Sequence, residues 1–99
     1  MGIKDLMVAG SREIFSRLGG PATYSHGGLD TETVVIHREN IQILGEFGTV
    51  VGFRDEVSLL LEDIPSPQRN AVVSLVNGPT LTLVEKVVRD GYYERWVVK

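Results

Sequence analysis

The sequence predicts a mainly β, α+β domain: a small antiparallel β-sandwich or barrel with one N-terminal helix covering an end. Three observations carry that expectation. Valine occurs fourteen times against three alanines, and thirteen of the valines follow residue 30; β-branched residues fit a pleated surface and lose rotamer freedom in a helix. Turn residues recur at short intervals after residue 20 with no helical period between them, which favours tight hairpins over crossovers. Finally, 99 residues, 42% of them hydrophobic, suit a single domain over 1–99 built on one core.

The helix is expected from about Ile3 to Leu18. Its apolar residues Ile3, Leu6, Met7, Ile14, Phe15 and Leu18 recur at spacings that place them on one stripe. Gly10 weakens its middle by about 1 kcal/mol relative to alanine. Gly19-Gly20-Pro21 ends it, because glycine accepts a left-handed C-cap and proline cannot continue a helix.

The β domain then runs from about Ala22 to Val98. Ala22-Thr23-Tyr24 reads as a first strand and Ser25-His26-Gly27-Gly28 as its turn, followed by strands over Thr33–Arg38, Glu56–Glu62 and Val72–Val76. Asn77-Gly78-Pro79 marks a hairpin, since Asn-Gly readily takes the positive φ that such turns use. Thr80–Arg89 is a long fifth strand, and Asp90-Gly91 turns the chain into a last one over Tyr92–Val98. Alternation puts Tyr92, Glu94, Trp96 and Val98 on one side of it and Tyr93, Arg95 and Val97 on the other.

Glu39–Asp55 has no steady period, yet carries Ile41, Ile43, Leu44, Phe47, Val50, Val51 and Phe53 among three glycines. It is either a strand pair within the sheet or a loop that buries its side chains on a partner.

Charge and chemistry narrow the function. The net charge is −3, and ten basic residues lie scattered from Lys4 to Lys99. Duplex binding needs a concentrated cationic face, so nucleic acid is not an expected partner. Cysteine is absent, which removes disulfides, thiolate zinc sites and cysteine nucleophiles. No apolar run approaches the ~20 residues that span a bilayer, and no apolar signal core follows Met1–Asp5. A soluble, cytoplasmically made chain with no membrane partner is expected. His26 and His37 lack any metal-ligand spacing. Ser25 and His26 are adjacent, and adjacent residues would point to opposite faces if extended; no third group is marked to orient them. The glycine pairs 19–20 and 27–28 belong to no phosphate-binding motif. Asp30/Glu32, Glu56 and Glu62/Asp63 read as solvated edges. No catalytic residue, cofactor or metal site is expected, and the protein is read as a non-enzyme. Tyr24, Tyr92, Tyr93 and Trp96 are core or cross-strand aromatics, with an interface anchor at Tyr93 or Trp96 as the other reading.

The order of these features resembles the lambda-type head–tail attachment (joining) protein family of tailed bacteriophages and prophages. The likeness runs from about Ile3 to Val98: the helix, Ala22-Thr23-Tyr24 with its Gly-Gly turn, the Val-Val-Ile strand, Glu56 to Pro65, the Asn77-Gly78 hairpin, and Asp90-Gly91-Tyr92 leading to Trp96-Val97-Val98. The most telling stretch is Leu59–Leu83, matched at Asp63, Pro65, Val73, Leu75, Asn77 and Gly78. It departs at Arg69-Asn70, where a Gly-Asp pair is expected.

The resemblance implies a structural virion protein at the neck, joining the DNA-filled head to the tail during assembly in the host bacterial cytoplasm. Its partners would be neck (connector) and tail-end proteins. It would associate with its own copies as a ring on that template, through a head-to-tail contact, and be a monomer when free. The expected interface lies in Glu39–Asp55, with Phe47 and Phe53 as anchors and Arg38, Glu46 and Arg54 as rim charges that steer docking. The alternatives are a small β-barrel module binding a peptide or a phage-derived secretion-machine component, a tail-completion (terminator) protein, or a domain whose chemistry lies on another chain.

Overall fold

In the computed structural model, which describes residues 13–99, a helical turn α1 (13–18) precedes six strands. These are β1 (Gly20–His26), β2 (Leu29–Leu44), β3 (Val50–Leu60), β4 (Val72–Leu75), β5 (Thr80–Arg89) and β6 (Tyr93–Val98). All neighbours are antiparallel, and the order β1-β2-β3-β6-β5-β4 closes on itself as a barrel. The mainly β fold with a short N-terminal helix is therefore as the sequence predicts. The expected helical residues from Ile3 onward to position 12 lie outside the described residues.

Alternation along each strand builds the core. Ala22 and Tyr24 of β1, Val35 of β2, Val57 and Leu59 of β3, Val73 of β4, Leu81 and Leu83 of β5, and Trp96 and Val98 of β6 form one buried cluster. The two-sided reading of the last strand holds: Glu94, Trp96 and Val98 are buried, whereas Tyr93, Arg95 and Val97 are only partly so.

The described end of the helix has a definite seat. Phe15 is buried, and its ring lies 6.3 Å from that of Tyr93, which is on the outward side of β6. Thus α1, the described part of the helix, packs against the outer wall of the barrel. Gly19 allows this approach, because a Cβ there would lie 2.3 Å from the carbonyl oxygen of Val35.

What covers the end is the 61–71 segment, where Ile64, Pro67 and Ala71 are buried. The Gln68 N–H donates to the Tyr24 hydroxyl at 2.8 Å, and the Thr33 hydroxyl donates to Asp63 at 2.7 Å. Beneath it Glu94, 1% exposed, accepts from the Arg89 guanidinium and, at 2.9 Å, from the Trp96 indole N–H. A buried carboxylate is tolerable only when partnered in this way.

Several strand limits also shift. Leu61 and Glu62 leave β3 for a turn, in which the N–H groups of Asp63 and Ile64 donate to the Leu60 carbonyl; Pro65 and Pro67 could not have extended the ladder. β4 ends at Leu75 and β6 begins at Tyr93. The Gly27-Gly28 turn uses positive φ at both residues, but neither Asn77 nor Gly78 does. Pro79 disfavours the helical-type ψ at the residue before it, so this turn closes through Gly78 N–H to Leu75 O instead. At the Arg69-Asn70 departure the chain takes φ 70 at Asn70, a conformation that asparagine tolerates.

Replacing Gly19 with Ala forces α1 off β2 and is expected to cost about 1–3 kcal/mol. In thermal melts this should appear as a Tm loss of roughly 4–8 °C per kcal/mol; an unchanged Tm would refute the close-approach account.

Candidate functional site: the β2–β3 arm and the cavity under α1

Glu39–Asp55 proves to be a strand pair. β2 has 16 residues and β3 has 11, against 7 in β1 and 6 in β6. The last residue of β2 paired with β1 is Val35, and Asp55 is the first of β3 paired with β6. Beyond these points the two strands have only each other and form a hairpin arm. Five further residues of β3 carry it about 15–20 Å past the wall at ~3.3 Å per residue.

A bulge marks where the arm leaves the barrel. The pairing slips by one residue between Arg38 and Ile41, where Asn40 takes φ 53 and donates its N–H to Asp55 Oδ1 at 3.0 Å. Such a bulge bends and twists the strand pair. His37 sits beside it with Nε2 3.4 Å from Asp55 Oδ2 and Nδ1 3.7 Å from Glu39. Its side chain is 9% exposed. His26 is exposed at the β1–β2 turn. Among the described residues no three potential metal ligands cluster.

Past the bulge the inward face of the sheet has no core to meet. Leu44 and Phe53 are each 61% exposed, Val51 is 66% exposed, and Phe47 is fully exposed. Phe47 forms the tip with Glu46 and Gly48 and holds φ 59. A bulky side chain in the left-handed region costs about 1–2 kcal/mol. The tip is nonetheless well tied: Gly45 N–H donates to Thr49 O at 2.7 Å, and Val51 packs over Gly45, where a Cβ would lie 2.7 Å from its methyl. A strained aromatic held fully in water has no folding rationale; strain of this kind collects at binding sites.

The five residues expected at an interface do not form one patch. Glu46 and Phe47 share the tip, and Phe53 lies along the inward face of the arm. Arg38 and Arg54 are on the outward face, near the barrel wall. Arg54 is not a free charge: its Nε–H donates at 2.7 Å to Glu56, which is buried on that wall. Arg95 Nε stands 2.9 Å from the other oxygen of Glu56.

Beside these arginines is a feature that sequence reasoning missed. A cavity of about 200 Å³ opens between α1 and the wall, lined by Ile14, Phe15, Leu18, Ile36, Arg38, Ser58, Tyr93 and Arg95. Ile14 and Leu18 stay 54% and 71% exposed at its lip. The helical stripe 14-15-18 was the available signal, but only the register shows which wall it meets. No protein-family model and no curated protein sequence matches the chain.

Replacing Phe47 with Asn, which tolerates the left-handed conformation, is expected to stabilise the fold by about 1 kcal/mol. The Tm should rise by roughly 4–8 °C; a fall would mean that the ring packs somewhere in the folded chain.

Proposed function

We propose that this protein is a structural component of a phage or prophage virion that joins the DNA-filled head to the tail. The observation that carries the reading is the β2–β3 arm: a hairpin that leaves a closed barrel and holds a strained, fully exposed phenylalanine at its tip. Closure leaves the barrel wall itself without a free sheet edge, so contact with a partner falls to the projecting arm. The resemblance of motif order to the joining family supports the same role. Small copies assemble as a ring on the neck, and the tail end docks on that ring. The work is surface complementarity, not catalysis, and the protein resides in the virion after assembly in the host cytoplasm.

The test is electron microscopy of particles from an induced host lacking the gene, with purified protein added back to the lysate. Filled heads and complete but separate tails, restored to whole virions by the protein, are the expected outcome. Tails of abnormal length would move the role to tail termination. Normal virions without the gene would overturn the joining role and favour a peptide-binding module, with the cavity under α1 as its groove.

The ring contact is expected to be too weak to hold without the template. Sedimentation of the purified chain at micromolar concentration should give a monomer, and a stable ring there would refute template-dependent assembly.

A further inference from the structure

We propose that the tip of the arm docks in the cavity under α1 of a neighbouring copy of this chain. This rests on the joining reading and names the partner of the arm. Size, charge and geometry argue for it together. An engineered cavity of about 150 Å³ with apolar walls holds a benzene ring, so a space of about 200 Å³ between Phe15, Ile36 and Tyr93 admits the ring of Phe47. Beside Phe47 stands the carboxylate of Glu46, exposed at the tip; at the cavity are Arg38, exposed, and Arg95, 30% exposed. Arg95 is already paired with Glu56, so seating the ring brings the acid of Glu46 to the exposed guanidinium of Arg38, and Arg–carboxylate pairs are the stronger kind of polar contact.

The two halves cannot meet within one molecule. The tip lies well beyond Asp55, whereas the cavity extends from Arg38 and Ile36 towards Tyr93, which pairs with Leu60 at the far end of β3. Two different surfaces of one chain are thus complementary to each other. Such a contact is heterologous, and it propagates until rotation closes it as a ring.

Cross-linking tests this, and the absence of native cysteine leaves introduced thiols as the sole targets of a short bismaleimide. Thr49→Cys places one beside the tip and Leu18→Cys one at the lip of the cavity; both positions are exposed. At high protein concentration, an equimolar mixture should give a cross-linked dimer. Each variant alone should not, and the double variant should give a ladder of oligomers. Adding Phe47→Ser to the Thr49→Cys partner should lower the yield about tenfold, as loss of a central anchor does. Glu46→Arg on one partner or Arg38→Glu on the other should also lower it, and the two together should restore it.

Cross-linking of Thr49→Cys with itself would mean arm-to-arm pairing and overturn the proposal. So would no dimer in the mixture when melts show both variants folded, or a yield indifferent to Phe47→Ser. Normal virions without the gene would defeat the joining role yet leave a positive cross-link standing; restored virions with no cross-link would do the reverse.

Discussion

Closure of the barrel through the β1–β4 ladder is the constraint on which the rest depends. Once Ala22–Ser25 pair with Val72–Leu75, every strand has two neighbours, and the short strands set the height of the wall. Strands of 4 to 7 residues cannot accompany β2 and β3 along their length. β5 meets the same mismatch differently: it slips by one residue twice against β6 and so coils its ten residues around the wall. β2 and β3 run on past the last residues that pair them with β1 and β6, and they leave the barrel together. A two-stranded hairpin is marginal by itself in water. This one is held by its continuity with the wall and by Asp55, which ties the bulge.

The polar groups of the wall bind arm and cavity into one unit. Glu56 is buried on the outer face between Arg54, at the root of the arm, and Arg95, which lines the cavity. A buried carboxylate fixes the geometry around it, since misplacing either guanidinium would leave charge uncompensated in a poorly solvated site. At the opposite end, Glu94 serves the same purpose inside the barrel, joining Arg89 and Trp96 beneath the 61–71 segment. Arg89 also reaches the Pro65 carbonyl at 3.5 Å.

Local chemistry alone determined much of this protein. Valine usage, the Gly27-Gly28 and Asp90-Gly91 turns, and the alternation over Tyr93–Val98 specify an antiparallel β domain, because turn dihedrals and the two-residue strand period are properties of a few adjacent residues. They specify β5 to its ends, Thr80 and Arg89. The excess of apolar side chains in Glu39–Asp55 was equally visible, and with it Phe47 and Phe53. What the sequence could not separate was a strand pair from a loop there, because the bulges at Asn40 and near Val51 break the period by which strands are read.

Only the tertiary structure decided the rest. Which wall α1 covers, that 61–71 closes over the core, and that Arg54 is committed to Glu56 all depend on residues distant in sequence. The cavity is the clearest instance: Ile14, Ile36, Ser58 and Tyr93 become neighbours only when register aligns Ile36 with Ser58 and Leu60 with Tyr93. A sequence records which side chains are apolar. Whether they face a core, a cavity or water is settled by which strands run out of neighbours, and that is a property of the closed sheet as a whole.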